Sequence, residues 1–235
     1  MANFFDFSSD KIDIFGMLID KSGSMCDDRM NVIEGFKLFR KSFKNFPEAN
    51  SIAVSVSMFS DEFYPGEFKR VTDLNIDYYP DGATALHYSI VKAAEYLTNY
   101  VAEVTKRTGC IPKVTYIVFS DGEPCEDRMR MSDGKSAIQK LNMAGVTTVF
   151  VAFGNAITSE FGKKMGFLST LNVRDRSTLV NFLGVDLSKS CKEQSKSLKA
   201  LGANFFSQAT NNSSSAEYSH ATAQALEDDS WINDI

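Results

Sequence analysis

The sequence predicts an α/β protein with a doubly wound, mostly parallel six-stranded sheet and helices on both faces. Strand-like and helix-like segments alternate along most of the 235 residues, a pattern typical of parallel strands connected by helices. Residues 114–120 and 146–153 are near-continuous runs of β-branched and aromatic residues, which indicates strands covered on both faces. Right-handed crossovers between such strands give the doubly wound arrangement.

The first predicted strand covers residues 12–20 (IDIFGMLID) and the second covers residues 52–60 (IAVSVSMFS). A helix with one apolar face is predicted between them, because four aromatic or aliphatic residues recur at steps of three and four: Ile33, Phe36, Phe39 and Phe43. After the Pro65-Gly66 turn, residues 67–72 are expected to form a short, charged strand. Charged residues suit the edge of a sheet.

The longest predicted helix follows this edge strand. Apolar residues keep helical spacing from Leu86 to Val104, and Gly109 with Pro112 marks the end of the segment. A further helix over residues 133–144 is expected to end at Gly145. The remaining strands are predicted over residues 114–120, 146–153 and, after a shorter helix, 167–171. A last helix is expected from about Arg176.

The composition divides the chain into three expected segments. Residues 10–187 form the α/β domain, residues 188–209 form a Ser-rich C-terminal helix or extension, and residues 210–235 form an acidic tail that is expected to be disordered. The net charge is −5, from 30 acidic and 25 basic residues. Residues 200–235 hold no Lys or Arg but carry Glu217, Glu227, Asp228, Asp229 and Asp234. The excess of acidic residues therefore lies in the tail.

Several classes of function are disfavoured by composition. The net negative charge argues against a nucleic-acid partner. No apolar run approaches the length of about 18 residues needed to span a bilayer. The N-terminal stretch MANFFDFSSDKID lacks a basic region, so we expect no signal peptide and a cytoplasmic protein. The four cysteines form no C-x-x-C pair and are expected to be reduced thiols.

Oxygen-bearing side chains lie in three loops of the predicted fold. The stretch IDKSGSM places Asp20, Ser22 and Ser24 directly after the first strand; FSDGEP places Asp121 after the fourth; and DGATAL places Thr84 before the long helix. In an open α/β sheet, ligands bind beyond the carboxyl ends of the strands where the strand order reverses. In the order 3-2-1-4-5-6 this point lies between strands one and four. We therefore expect an oxygen cage for Mg²⁺, with Mn²⁺ or Ca²⁺ as alternatives.

Simpler interpretations exist for each loop taken alone. The first loop would also suit a polar turn that caps the next helix, and Asp121 would suit an Asp-Gly turn that binds nothing. Asp27 and Asp28 are expected to be first-turn acids that favour the helix dipole. Cys26 and Cys125 directly follow two of the loops and are expected at the rim as plain thiols. The combination of all three loops favours a metal site.

The three motifs resemble the metal-ion-dependent adhesion site of the von Willebrand factor A (vWA) family. The five family positions fall on the five residues above, in the family's order, and the strand-helix pattern over residues 10–187 fits the family's Rossmann-like fold. DKSGSM, GATAL and SDGEP are most similar to bacterial vWA proteins associated with tellurium resistance and stress response. Those proteins typically have Gly-Gly-Thr in the middle loop, and Ala83 replaces one of these glycines here.

The resemblance implies a binding module rather than an enzyme. In the family the hydroxyls are typically direct metal ligands, one or both acids act through water, and an acidic side chain of a partner protein completes the coordination. We therefore expect a metal-dependent adaptor or scaffold with a protein partner, no nucleic acid and no membrane. The sequence leaves the oligomeric state open.

Two other functions are left open by the sequence. A metal-dependent, phosphatase-like hydrolase is the first, although Ser22 stands where one such class has a second Asp, and only His87 and His220 could act as an imidazole base. The second is a phosphorylated signalling client of a partner kinase or phosphatase, with the serines of residues 188–197 and 213–215 as acceptors.

The acidic tail has three interpretations of its own. It is a solvated end without a partner, a short binding motif anchored by Trp231, or a source of carboxylates for the metal site of the same or a neighbouring chain.

Overall fold

The computed structural model of the chain describes residues 11–125, 128–154, 157 and 159–207. The acidic tail expected over residues 210–235, including Trp231, lies outside the described residues. The three expected segment boundaries therefore stay predictions.

Within the described residues, seven strands form a single sheet: β1 (Asp13–Asp20), β2 (Ile52–Phe59), β3 (Phe63–Tyr64), β4 (Lys69–Arg70), β5 (Lys113–Ser120), β6 (Thr147–Phe153) and β7 (Ser169–Val173). The strand order is β3-β2-β1-β5-β6-β7, and β4 also pairs with β2. The five long strands are parallel to one another, whereas β3 and β4 run antiparallel to β2. The predicted class, a doubly wound and mostly parallel α/β sheet, is confirmed.

The edge of the sheet explains why seven strands form where six were expected. The edge strand expected over residues 67–72 is shortened to β4, and β3, before the Pro65-Gly66 turn, is an additional strand that was not expected. The two pair with opposite ends of β2. Between them, Gly66 lies so close to β2 that a Cβ built on it would be 2.0 Å from the carbonyl oxygen of Val56. The Ser57 hydroxyl accepts a hydrogen bond from the Gly66 amide, and the Ser55 hydroxyl donates one to the Gly66 carbonyl. Side chains thus replace the missing ladder bonds.

Helices cover both faces of the sheet: α1 (Arg29–Ser42), α2 (Leu86–Thr108), α3 (Met131–Met143), α4 (Ser159–Met165), α5 (Leu179–Asn181) and α6 (Ser188–Lys196). A π-helical segment, Phe182–Leu187, joins α5 to α6. One apolar cluster includes residues of α1 and the π-helical segment, and the other includes residues of α2, α3 and α4. Among the described residues, none of the helices is both long and apolar enough to cross a membrane.

The segment after the π-helical turn packs on the same core as α1. Cys191 of α6 is fully buried, and Phe205 and Phe206 are each 1% exposed. All three belong to the apolar cluster that contains α1. Parts of residues 188–207 therefore pack against the core of the α/β domain.

Candidate metal centre

The crevice at the carboxyl edge of the sheet lies between β1 and β5. These strands are parallel neighbours, with Ile19 opposite Phe119, so Asp20 and Asp121 leave the sheet side by side. The chain continues from β1 to α1 on one face and from β5 to α3 on the other. Connections that diverge in this way open the crevice in which doubly wound proteins bind ligands.

Asp20 is the deepest of the predicted site residues, with no exposed surface. Its Oδ1 accepts a hydrogen bond of 2.8 Å from the backbone amide of Ser22, and its Oδ2 accepts one of 2.6 Å from the hydroxyl of Ser120. Burial raises the pKa of the Asp20 carboxyl to about 6, although these two hydrogen bonds lower it. The carboxylate is therefore held in one orientation and is shielded from water.

The two serines and Asp121 form a continuous row of oxygen atoms. Ser22 Oγ lies 3.1 Å from Ser24 Oγ, and Ser24 Oγ donates a hydrogen bond of 2.8 Å to Asp121 Oδ1. Ser22 and Asp121 are buried, whereas Ser24 is exposed at the mouth of the crevice. The row is therefore buried at both ends and reaches solvent at Ser24.

Thr84 reaches the same place from the start of α2. A Cβ built on Gly122 would lie 3.6 Å from Thr84 Oγ1 and 3.9 Å from Ser24 Oγ, so both hydroxyls face the glycine that follows Asp121. The backbone of Thr84 is fixed by Cys125, whose amide donates to the Thr84 carbonyl over 3.0 Å and whose Sγ accepts from the Thr84 amide over 3.3 Å. All three predicted loops thus meet at one site.

Gly82, in the loop before Thr84, is packed against protein atoms of a neighbouring loop. Its φ is +74°, and a Cβ there would be 2.4 Å from Oδ2 of Asp61. Asp61 Oδ1 accepts a hydrogen bond of 2.7 Å from the amide of Ala83. The Gly82 carbonyl accepts from the amide of Gly23 over 3.0 Å, which ties the threonine loop to the serine loop. Both φ and space demand glycine here.

Arg176 is the main site residue that the sequence did not reveal. It lies in the turn after β7, and its Nη2 is 2.6 Å from Asp121 Oδ2. Its Nη1 forms an ion pair with Asp28 and contacts the carbonyl oxygen of Ser24 at 3.3 Å. Burial opposes the charge of Arg176, but its contacts with the two aspartates outweigh burial and raise its pKa above the ordinary value.

Asp28 also differs from its expected role, because it forms an ion pair with Arg176. It precedes α1 at the N-cap position without a side-chain capping bond, and its carboxylate is buried against the guanidinium. The prediction that it acts as a first-turn acid is wrong. No spacing in the sequence connects residues 28 and 176. The hydroxyl of Ser120, in contrast, sits inside the FSDGEP motif and could have been inferred as a support for Asp20.

The residues present fit a small, hard cation. In octahedral Mg²⁺ coordination, oxygens at 2.0–2.1 Å from the metal lie about 3 Å from their neighbours. The separations of 3.1 Å between the serine hydroxyls and 2.8 Å between Ser24 and Asp121 match such an edge. Across the described part of the chain, no three carboxylate, imidazole or thiol side chains are grouped as a metal site.

Comparisons with known proteins identify the fold. No family model matches the sequence, and a search of curated proteins finds no match. Solved structures do match. The pilus adhesin SpaC from Lactobacillus rhamnosus GG superposes with a TM-score of 0.62 at 12% identity, over 80% of this chain and 31% of that chain.

Two further structures share the same architecture. Proximal thread matrix protein 1 from the mussel byssus, with a zinc-occupied adhesion-site motif, has a TM-score of 0.58 at 17% identity, over 75% of this chain and 47% of that chain. The minor pilin PilB from Streptococcus sanguinis has a TM-score of 0.53 at 11% identity, over 81% and 63%. The match spans less than two thirds of each of these proteins. At such identities the likeness establishes a vWA-like fold and nothing beyond it.

Proposed function

We propose that the chain is a non-enzymatic, metal-dependent protein-interaction module, an adaptor or scaffold that binds an acidic group of a partner protein. The observation that supports it is the row of oxygens from Ser22 through Ser24 to Asp121, which is spaced like an octahedral edge and is open to solvent at Ser24. Thr84 lies beside this row, and Asp20 lies beneath it.

Each residue has a distinct part in this proposal. Ser22, Ser24 and Thr84 would be the direct ligands of Mg²⁺, with Mn²⁺ or Ca²⁺ as alternative ions. Both oxygens of Asp20 already accept hydrogen bonds from Ser22 and Ser120, which suits an acid that acts through water. When bound, the ion supplies a positive charge held largely by neutral hydroxyls, which attracts an additional carboxylate.

The proposal also includes the subgroup of vWA proteins, the cellular location and the kind of partner. The DKSGSM, GATAL and SDGEP motifs support a place among bacterial vWA proteins of tellurium resistance or stress response, with a cytoplasmic location. The net negative charge supports a protein rather than nucleic acid as the partner. No membrane partner is included.

A hydrolase remains the competing proposal, and the site gives it little support. Of the two histidines, His87 packs near Phe161 with the rings tilted and their centroids 5.8 Å apart, and His220 lies outside the described residues. Phosphatase and esterase assays in Mg²⁺ and in Mn²⁺ address this directly. Turnover that disappears in Asp20→Asn would replace the binding module with an enzyme.

Burial reduces the number of serines that could be phosphorylated in the signalling-client alternative. Of the serines in residues 188–197, Ser188, Ser190 and Ser195 are at most 3% exposed and cannot reach a kinase in the folded chain. Ser197 is half-buried, and residues 213–215 lie outside the described residues. Phosphopeptide mapping of the intact protein would test these remaining acceptors.

The proposal is tested by metal-gated capture. Wild type, Asp121→Asn and the control Asp73→Asn, an exposed acid in the turn after β4, are each used to pull down proteins from native lysate in Mg²⁺ and in EDTA. The proposal predicts a partner retained by wild type and Asp73→Asn in Mg²⁺ only. Identical capture in all conditions would overturn it, as would failure of the wild type to bind Mn²⁺ in a calorimetric titration.

A further inference from the structure

Arg176 is held at the metal centre by contacts that converge from several elements. Its guanidinium reaches Asp121 Oδ2 at 2.6 Å, forms an ion pair with Asp28, and lies near the Ser24 carbonyl. It passes close to Gly154 at the end of β6, where an added Cβ would be 3.2 Å from Nε. The side chain is still 38% exposed. Nη1 and Nη2 of the guanidinium are therefore bound to residues of the site, while part of the side chain remains open to solvent.

The charges at the centre show what this cation changes. Three carboxylates contribute to the charge of the centre: Asp20 and Asp121 at the crevice, and Asp28, which is linked to Asp121 through their shared contact with Arg176. With the carboxylates ionised, a divalent ion alone would leave one net negative charge, which repels a further anion. With Arg176 included, the net charge of the loaded centre is zero, so the guanidinium removes that repulsion.

We propose that Arg176 is a second binding point for the acidic ligand of this centre. This inference rests on the proposed function. In the ligand-free chain the guanidinium binds Asp121 Oδ2 and competes with a metal ion for that carboxylate. With a metal ion bound, Arg176 Nη2 would instead donate to one oxygen of the ligand carboxylate, and the other oxygen of that carboxylate would bind the metal. The ligand class is a planar carboxylate of an Asp or Glu side chain.

The chemistry of the side chain makes the inference specific to arginine. A guanidinium presents several donors in a rigid plane that matches the two oxygens of a carboxylate, so it can keep Asp28 on Nη1 while Nη2 changes partner. An ammonium has the same charge but no such fork. Arg176→Lys therefore separates charge from geometry, and Arg176→Gln removes both.

The first measurement titrates Mn²⁺ alone into wild type, Arg176→Gln and Arg176→Lys by calorimetry. Removal of a competing positive charge should tighten Mn²⁺ binding of Arg176→Gln by about tenfold, whereas Arg176→Lys should stay close to wild type. Arg29→Gln is the matched control. It removes the same charge from the start of α1, where Arg29 donates to the Tyr78 carbonyl and stacks on Tyr79. Its Mn²⁺ affinity should equal that of wild type.

The second measurement uses the peptide acetyl-Gly-Asp-Gly-amide and its Asn counterpart, each titrated in saturating Mg²⁺ and followed by the amide signals of Gly23 and Gly122. Arg176→Gln and Arg176→Lys should both bind the Asp peptide about tenfold more weakly than wild type, because neither side chain can hold Asp28 and bind the ligand's second oxygen at the same time. The Asn peptide should bind none of the proteins measurably.

The outcomes separate this inference from the proposed function. Tighter metal binding together with weaker peptide binding in Arg176→Gln supports a second anchor. Wild-type affinities in both titrations would overturn the inference and leave the proposed function intact. Parallel weakening of both affinities would also overturn it, because this indicates a purely structural residue. Failure of wild type to bind Mn²⁺ would overturn the proposed function and the inference together.

Discussion

The hydroxyl of Ser120, the last residue of β5, donates a 2.6 Å hydrogen bond to Oδ2 of Asp20, the last residue of β1. The bond joins the ends of two neighbouring parallel strands at the point where the crevice opens. The other oxygen of Asp20 is held by the Ser22 amide. Asp20 is thus oriented by the protein itself, which is the arrangement expected of an acid that positions water rather than one that moves to meet a metal.

Replacement of Ser120 tests how much this bond contributes. Ser120→Ala leaves a buried carboxylate oxygen without its donor, and we expect the free energy of unfolding in EDTA to fall by about 1–3 kcal/mol. Thr115→Val on the same strand is the control, because the Thr115 hydroxyl is buried without a hydrogen-bond partner. Urea denaturation should show no loss for that variant. Equal losses in the two variants would mean that Ser120 contributes only packing.

Removal of the buried charge itself should have opposite effects on stability and on metal binding. Burial raises the pKa of Asp20 from 3.8 to about 6, so the ionised carboxylate costs on the order of 3 kcal/mol at pH 8. Asp20→Asn keeps the shape and should raise the free energy of unfolding in EDTA at pH 8. In Mg²⁺ the melting temperature of wild type should rise and that of the variant should not. A destabilised variant in EDTA would contradict this account.

Gly82 in the threonine loop and Gly109 at the end of α2 form a matched pair of glycines that separates backbone strain from steric contact. Their φ angles are +74° and +72°, but an added Cβ would clash with Asp61 only at Gly82 and would meet nothing within 4 Å at Gly109. Gly109→Ala should lose about 1–2 kcal/mol from the left-handed backbone alone. Gly82→Ala should lose more, but in an Asp61→Ala background, which lacks the clashing carboxylate, the same change should cost about as much as Gly109→Ala. Equal losses for the two single variants in urea denaturation would exclude steric contact as the cause.

Much of the fold could be predicted because the long strands are apolar on both faces. The pattern of residues 114–120 agrees with β5 to within one residue, and Gly109 ends α2 as expected. The edge of the sheet could not be read in the same way. Its strands are two residues long, and the intervening Gly66 is paired by serine side chains of β2, for which no periodic pattern exists.

The candidate site was predictable only where its residues lie in the motifs. Asp20, Ser22, Ser24, Thr84 and Asp121 follow strand ends or open a helix, and strand order alone brings such positions together. Arg176 comes from the end of β7, two strands away from β5, and reaches Asp121 by the length of its side chain past Gly154. A contact of this kind depends on the rotamer and the neighbouring glycine, which leave no spacing in the sequence. The assignment of the five motif residues as metal ligands stays a prediction.

The opposite end of β1 carries a buried ion pair that makes a test of pH dependence possible away from the metal centre. Asp13 is 1% exposed, and its Oδ1 lies 3.2 Å from Nζ of Lys113, which also donates to the carbonyls of Ser195 and Ser197. Burial raises the pKa of Asp13 above 3.8 and outweighs the attraction of Lys113. The folded chain therefore holds this proton at pH values where the unfolded chain has lost it.

The sign of the effect follows from this difference in proton binding. Between the ordinary pKa of about 3.9 and the raised pKa, the folded state binds more protons, so the contribution of Asp13 to stability falls as pH rises. The difference in unfolding free energy between wild type and Asp13→Asn should therefore shift in favour of wild type as pH falls from 7 to about 4. Asp73→Asn, an exposed carboxylate, should give a nearly constant difference. A shift in favour of Asp13→Asn on acidification, measured by urea denaturation in EDTA, would show that the attraction of Lys113 dominates burial.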